Sequence, residues 1–291
     1  MQQSIATELF LPIALGIIML GLGLSLTLED FRRVAKYPKA ITVALACQMI
    51  LLPVLCFFLV KFSGLEPGLA VGMMLLAASP GGATANLYSH LSNGDVALNI
   101  SLTAVNSLLT LFTLPLIVNF SLDYFMGSGQ YIPMQFSKVL EVFGIVLIPV
   151  TIGMIIKNRF ENFAARMEKP VKIASALILI IIIVSVTIRE KQLLADYFTV
   201  LGLPVLLFNL LSLGSGYFIP RWLNIEKRQS IAIGMEIGIH NGTLAIYIAL
   251  SVLANSSMAV PPAVYSLLMF FTAALFGYMV KNKRLEGAIQ H

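Results

Sequence analysis

Three side chains able to do chemistry stand together in an otherwise apolar stretch: Glu236, His240 and Asn241, within residues 234–243. A carboxylate in an apolar segment of membrane-spanning length is costly unless it is paired, so it usually marks a functional site. On a continuous helix Glu236 and His240 would share one face, whereas Asn241-Gly242 favours a break in the helix. Two interpretations stay open: a packed helix whose protonated Glu236 bonds to a neighbour, or a ligand site.

The composition around this stretch is that of a membrane protein. Apolar residues make up 58% of the chain and charged residues 11%, with mean hydropathy +0.90, whereas a soluble domain has about 25% charged residues. Apolar windows of about 20 residues predict an all-α, polytopic membrane protein in one transmembrane domain, residues 1–291. Its nine predicted spans are 9–28, 40–62, 69–90, 96–119, 139–156, 173–188, 200–218, 230–254 and 263–280.

The distribution of Lys and Arg predicts the orientation of the chain. With the N-terminus outside, 15 of the 19 Lys and Arg residues fall on the inner side, as expected for cytoplasmic loops. This bias also accounts for the net charge of +5 and the pI of about 9.2, so no nucleic-acid partner is needed. The first residues lack the pattern of a cleaved signal or transit peptide. We therefore expect a multi-pass protein of the cell membrane, such as a bacterial inner membrane, with a cytoplasmic C-terminus.

Three further spans carry features that fit a binding site. Pro80-Gly-Gly in span three predicts a helix break, although a simple kink is the alternative. Gln48 in span two is compatible with a ligand role or with a bond to a helix carbonyl. Span four carries a polar stripe, which is either packing or a ligand-lined surface. The stripe consists of Asn99, Thr103, Asn106, Thr110 and Thr113.

The two irregular spans, three and eight, are separated by an odd number of spans, so they cross the bilayer in opposite directions. This arrangement is typical of inverted repeats whose broken helices meet at a binding site. Spans two to four would then mirror spans seven to nine.

The motifs Pro80-Gly-Gly-Ala-Thr-Ala-Asn86, Gly94-Asp-Val-Ala-Leu98 and Glu236-Ile-Gly-Ile-His-Asn241 together resemble the bile acid:sodium symporter (BASS) family, in its bacterial nine-span form. The resemblance runs from about Leu15 to the end of span nine. It implies a panel of spans one, five and six, and a core of spans two to four and seven to nine. It also implies sodium-coupled symport of a small organic anion by alternating access, with two broken helices crossing in the core.

Carried over by position, the resemblance implies two sodium sites that share one carboxylate. The first would use Asn86, Asn99, Thr103 and Glu236. The second would use Gln48, Glu236, the backbone around Ile237 and Ile239, and His240. The anion would lie near Thr84, Asn241 and Gly242.

His240 departs from the family pattern, in which Gln is usual, and Ala85 stands where Ser is frequent. A neutral imidazole offers a nitrogen better suited to transition metals, and a protonated one has no lone pair. We hypothesise that the chain carries fewer sodium ions per substrate than other members of the family, and that a proton replaces one of them. The alternative is that the His240 ring only packs while the backbone still binds the ion.

Functions of other classes are also compatible with parts of the pattern. Glu236 and His240 could form a zinc pair, but zinc needs a third protein ligand, and His90 and His291 lie near chain or span ends. We therefore expect no enzyme and no cofactor, with Na⁺ as the coupling ion, and a monomer in the lipid bilayer. Proton-coupled or mixed proton and sodium transport, or a sensor or channel on the same fold, remain alternatives.

Overall fold

The fold is helical throughout the part of the chain that the structure, a computed structural model, describes: residues 5–127, 136–189 and 191–281. Lys283, Arg284 and His291, which entered the sequence interpretation, lie outside these residues. The described α-helices are α1 Ile5–Ser25, α2 Leu28–Arg33, α3 Pro38–Ala46, α4 Leu52–Ser63, α5 Pro67–Ala78, α6 Ala85–Leu91, α7 Val96–Met126, α8 Phe136–Arg159, α9 Glu161–Arg189, α10 Lys191–Trp222, α11 Lys227–Gly238, α12 Gly242–Tyr247 and α13 Val260–Lys281.

Local sequence signals set several of these helix ends. Pro38 and Pro67 stand at the first position of α3 and α5, where the missing N–H costs nothing. The Asp95 carboxylate accepts a hydrogen bond from the Leu98 N–H at 3.0 Å and caps α7. Gly64, with φ +62°, ends α4, because glycine adopts the left-handed conformation without a steric penalty.

Helix length and composition confirm an all-α, polytopic membrane protein. Among the described residues, five helical stretches are long and apolar enough to cross a membrane: Pro38–Ser63, Val96–Met126, Ser137–Arg159, Leu201–Trp222 and Ser257–Lys281. A sixth candidate, Phe10–Ser25 with Leu28–Lys36, is bent by 69°. The count of nine spans stays a prediction.

The two predicted helix breaks are confirmed. Span three divides into α5 and α6, which are separated by residues 79–84, and span eight divides into α11 and α12, separated by residues 239–241. Span two contains a π-helical turn at Cys47–Leu51, between α3 and α4, and span eight contains another at Ile248–Val252, after α12. Turns of this kind occur frequently at functional sites.

The sequence predicts connecting loops at residues 157–170 and 189–198, on either side of span six, and this prediction was wrong because both segments are largely helical. Residues 161–170 belong to α9, and residues 191–198 belong to α10. Their charged residues had suggested loops, but charged side chains on long helices are stable where the helix extends beyond the apolar layer.

Packing groups the helices in two sets. Helix α1 packs against α8 and α9, whereas α10 packs against α11 and α13, and α5 against α7. The panel of spans one, five and six and the core of spans two to four and seven to nine stay a prediction, since α9 also packs against α13. Large apolar side chains such as Phe112, Leu116 and Phe271 are exposed, as expected of surfaces that face lipid chains.

Candidate ion and substrate site

The two helix breaks meet in the interior of the protein as a short antiparallel pair. Gly81 and His240 form an isolated β-bridge, the Gly82 N–H donates to the Ile239 carbonyl at 2.6 Å, and the Asn241 N–H donates to the Pro80 carbonyl at 2.8 Å. Backbone groups freed by the breaks therefore find partners in each other. Irregular backbone at membrane depth requires such compensation.

Glu236 lies next to this crossing in the last turns of α11 and is 1% exposed. The Thr103 hydroxyl of α7 donates to its Oε2 at 2.6 Å, while Oε1 is buried without a hydrogen-bond partner. A Cβ at Gly81 would overlap that Oε1 atom. Glycine at this position therefore lets the backbone between α5 and α6 pass directly over the Glu236 carboxylate.

Two amide side chains donate hydrogen bonds through their nitrogen atoms, while their oxygen atoms have no partner. The Asn99 Nδ2 donates to the Ala232 carbonyl at 2.8 Å, and the Gln48 Nε2 donates to the Ser79 carbonyl at 3.0 Å. Because the nitrogen of each amide is engaged, the Asn99 Oδ1 and the Gln48 Oε1 are left as acceptors, and both are buried without a partner.

Four residues of the implied sodium sites carry unpartnered oxygens, and so does Asn209, whose amide nitrogen donates to the Gly238 carbonyl. Buried side-chain oxygens without a hydrogen-bond partner occur on Gln48, Asn86, Asn99 and Glu236. Leaving a buried acceptor unsatisfied costs about 1–3 kcal/mol per group. Four such oxygens, carried by elements that pack on each other, form an arrangement that a cation with oxygen ligands would stabilise.

His240 lies in the break and not on α11, which ends at Gly238. Its Nδ1 is 3.3 Å from the Ser79 carbonyl oxygen, and its Nε2 has no partner. The ring stacks on Phe208 with a centroid distance of 5.7 Å and meets the edge of Tyr265 at 5.4 Å. Among the described residues, no hydrogen bond joins His240 to Glu236.

The residues implied for the substrate have local structural roles. The Asn241 Oδ1 accepts the Leu244 N–H at 3.1 Å and caps α12. A side chain at Gly242 would overlap the Ser266 hydroxyl of α13. Thr84 precedes α6 and makes no side-chain cap. The backbone positions implied for sodium lie on either side of the end of α11. Ile237 is buried in α11, and the Ile239 carbonyl already accepts a hydrogen bond from the Gly82 N–H.

Several residues that shape the site were missed by the sequence interpretation. The Ser79 carbonyl faces both Gln48 and His240, and the Gly238 carbonyl accepts hydrogen bonds from the Asn209 Nδ2 at 3.1 Å and the Tyr265 hydroxyl at 2.9 Å. Asn209 could have been found from its sequence, because it is a lone amide within span seven. No local signal indicates that the two carbonyls act as acceptors.

The zinc alternative receives no support from the donor atoms of the described residues. Residues 5–127, 136–189 and 191–281 contain no cluster of three or more His, Cys, Asp and Glu that could hold a metal ion. His90 lies at the end of α6 and lines a separate pocket.

Comparison with known proteins extends these observations. The Sodium Bile acid symporter family matches residues 12–197. A rice protein named "Probable sodium/metabolite cotransporter BASS2, chloroplastic" (Oryza sativa subsp. japonica) is 26% identical over 282 residues, 97% of this chain and 66% of its own length. The Bacillus subtilis (strain 168) "Uncharacterized sodium-dependent transporter YocS" is 26% identical, covering 88% of this chain and 78% of its own.

A human protein is similar over almost the whole chain. The "Ileal sodium/bile acid cotransporter" of Homo sapiens is 23% identical over 290 residues, which cover 98% of this chain and 82% of its own length. The chain spans less than two thirds of the length of the plant relatives, 66% of the rice protein and 62% of the BASS1 protein of Arabidopsis thaliana.

The family match ends at residue 197, before Glu236, whereas the alignment with the human protein extends over the region of Glu236. More than half of the chain matches the family. The chain therefore belongs to the sodium bile acid symporter family, and its long apolar helices are those of a multi-pass membrane protein.

Proposed function

We propose that the chain is a secondary active transporter in which sodium ions drive the uptake of a small organic anion. The observation that carries this proposal is the group of four buried, unpartnered oxygens around the helix crossing, on Gln48, Asn86, Asn99 and Glu236. Three neutral amide oxygens and one carboxylate suit a hard cation. The printed names of the relatives, which include sodium/metabolite and sodium/bile acid cotransporters, support the same cargo class.

The Glu236 carboxylate supplies the negative charge of the proposed ion site. Its Oε2 accepts the Thr103 hydroxyl, which leaves Oε1 available to a cation. A buried charge without a partner is costly, so sodium and the carboxylate stabilise each other at this depth. Asn86, Asn99 and Thr103 complete the first sodium site, whereas the second site, which includes Gln48 and His240, has an imidazole in place of an amide oxygen.

Alternating access is supported by a cavity on one side of the molecule and a contact on the other. A cavity of about 600 Å³ is lined by residues of α1, α2, α7 and α8, and its lining reaches from Lys157 to Ala104, the neighbour of Thr103. Near the opposite end of α8, the Tyr247 hydroxyl donates to the Glu141 Oε1 at 3.2 Å. With the predicted orientation of the chain, this conformation faces inward.

The substrate is proposed to be an organic anion that binds beside the crossing, near Thr84, Asn241 and Gly242. The N-terminal ends of α6 and α12 start at these residues, and helix N-termini carry partial positive charge. The Asn241 Oδ1 is used as a helix cap, so this side chain would meet an anion through its Nδ2 group. The relatives' names cover both metabolites and bile acids, which leaves the shape of the anion open.

Uptake by purified protein in proteoliposomes tests the proposal. We expect an inward sodium gradient to drive uptake of at least one member of a panel of bile acids, keto acids and other small carboxylates. Glu236→Gln should lower this uptake by about 100-fold or more, because losing one partner of a buried ion pair costs roughly 3–5 kcal/mol. Glu29→Gln is the matched control, since Glu29 is exposed and lies 3.8 Å from Lys36 in a surface pair.

A sodium-dependent change in melting temperature, measured on the same samples, separates the possible failures. Full sodium-driven uptake by Glu236→Gln would refute the ligand role of Glu236. Uptake without sodium dependence would refute sodium coupling. Sodium binding without uptake of any panel member would favour a sensor or channel.

A further inference from the structure

A second pocket lies away from the helix crossing, at the end of the bundle where α6 and α13 end and α7 and α11 begin. Its volume is about 680 Å³. The lining consists of His90, Ser92, Asn93, Gly94, Asp95, Val96, Ala97, Lys227, Arg228, Ile231, Val280 and Lys281. Four of these residues carry basic side chains, contributed by three different helices.

The charge of this pocket is strongly unbalanced. Asp95 is the only carboxylate in its lining, and its Oδ1 is engaged in capping α7. Among the described residues, neither Arg228 nor Lys281 forms an ion pair, and both are exposed. Basic residues at helix ends are expected from the orientation rule alone. That rule does not require them to converge on one concave site.

Backbone hydrogen bonds hold the walls of the pocket in place. The Asp95 N–H donates to the Arg228 carbonyl at 2.9 Å, and the Gly94 N–H donates to the Ser89 carbonyl at 2.8 Å. A Cβ at Gly94 would lie 3.0 Å from Ile231 Cγ2. The loop between α6 and α7 is thus joined directly to the start of α11, so the basic side chains project from a fixed frame.

An apolar surface borders the basic cluster. Leu87 and Leu91 lie one turn apart on α6 and are 54% and 57% exposed, while the Lys281 Nζ lies 3.4 Å from the Leu91 carbonyl oxygen. Exposed leucines in a membrane protein contact acyl chains. The phosphate group of a lipid bound in the pocket would therefore lie beside an apolar surface that its acyl chain can cover. A free phosphate ion would make no use of that surface.

We propose that this pocket binds the headgroup of an anionic phospholipid, with its phosphate facing Arg228, Lys281 and His90 and one acyl chain along Leu87 and Leu91. Basic pockets between membrane helices bind anionic headgroups through the same attraction. The occupant would link α6 and α11, which flank the two breaks, to α13. Sodium coupling is not required for this site.

Lipid binding by the purified full chain tests the proposal. Dioleoyl phosphatidylglycerol is titrated against the melting temperature in detergent, with dioleoyl phosphatidylcholine and inorganic phosphate as separate arms, and native mass spectrometry counts retained lipid. We expect phosphatidylglycerol to bind more tightly than phosphatidylcholine. The double variant Arg228→Gln with Lys281→Gln should weaken this binding by about 25-fold, at about fivefold per cation.

The matched control is Lys39→Gln with Arg159→Gln, which removes two exposed cations from the same predicted side of the membrane but outside the pocket. We expect this control to stay within about twofold of the unmodified chain, since neither residue lines the pocket and exposed charges are screened by salt. The charge-preserving pair Arg228→Lys with Lys281→Arg should retain binding and shows whether loss reflects charge or misfolding.

Three results would overturn the proposal. Equal weakening in the control variant would indicate general surface charge. An equal shift with inorganic phosphate would assign the pocket to a free anion, and an equal affinity for phosphatidylcholine would remove the role of headgroup charge.

Discussion

Glu236 is the residue around which the other side chains of the site are arranged, and its surroundings explain why it tolerates burial. One oxygen accepts the Thr103 hydroxyl, and the other lies under Gly81, where any larger residue would collide with it. The carboxylate is therefore half satisfied by the protein. The remaining acceptor capacity is what makes it a candidate for binding a cation.

We propose that His240 limits how many sodium ions the proposed site holds. Its Nδ1 faces the Ser79 carbonyl and its ring is packed between Phe208 and Tyr265, so the side chain presents nitrogen where the family usually has an amide oxygen. Because sodium prefers oxygen ligands, we predict a Hill coefficient for sodium close to one in the unmodified chain.

His240→Gln should raise this coefficient, measured as the sodium dependence of uptake in proteoliposomes at several pH values. Phe208→Leu is the control, because it changes the packing of the ring without changing the donor atoms. Identical sodium cooperativity and identical pH profiles in the His240→Gln variant and the unmodified chain would exclude His240 from the coupling mechanism.

Half-helices are the elements that bring the site together, and equivalent hydrogen bonds hold their ends. In one half of the chain the Gln48 amide donates to the Ser79 carbonyl just after α5, and in the other the Asn209 amide donates to the Gly238 carbonyl at the end of α11. This correspondence supports the inverted repeat that we infer from spans two to four and seven to nine.

The contact between α8 and α12 provides a test of whether a helix contact stabilises this conformation. Tyr247 is fully buried and its hydroxyl donates to Glu141, which also pairs with Lys138 at 2.8 Å. Tyr247→Phe removes a hydrogen bond to a charged group, worth roughly 1.5–3 kcal/mol. If this contact stabilises the inward-facing state, the variant should populate that state about tenfold less.

Labelling of a cysteine at Ser107, which lines the cavity of about 600 Å³, measures that population in a background with Cys47 and Cys56 replaced by alanine. We expect slower labelling in Tyr247→Phe and an unchanged rate in Tyr124→Phe, a change at an exposed tyrosine. Equal rates in all three proteins would show that the contact does not bias the conformation.

At the scale of the whole molecule, we expect the charges to set the orientation in the membrane. Fifteen of nineteen Lys and Arg residues fall on one side of the predicted spans, and the basic pocket formed by His90, Lys227, Arg228 and Lys281 lies on that side. The inner leaflet carries negative surface potential. The same charges that determine insertion therefore also provide the proposed lipid contact.

Single cysteines at Ser63 and Glu226, with Cys47 and Cys56 replaced by alanine, test the predicted topology in intact cells. Ser63 ends α4 and Glu226 precedes α11, so neither change interrupts a helix. An impermeant thiol reagent should label the Ser63 probe, while the Glu226 probe should react only after permeabilisation. Labelling of both from outside would refute the nine-span topology.

The sequence by itself determined the membrane class and the positions of both helix breaks. Apolar content and hydrophobic length are local properties, and Pro80-Gly-Gly and Asn241-Gly242 disfavour helix wherever they occur. The extent of α9 and α10 could not be predicted from these local properties, because the charged segments at the start of both helices resemble loops. The family resemblance, and not spacing, supplied the assignment of the ion ligands.

Only the tertiary structure decided which atoms meet. Thr103 and Glu236 are 133 residues apart in the chain, and Ser79 and His240 are 161 apart, so no local pattern could indicate their contacts. Carbonyls at the two breaks, Ser79 and Gly238, orient the amides of Gln48 and Asn209, whereas the Ala232 carbonyl inside α11 orients that of Asn99. The arrangement of free oxygens is thus a property of how the two halves of the chain pack, because each amide is oriented by a carbonyl from a distant part of the chain.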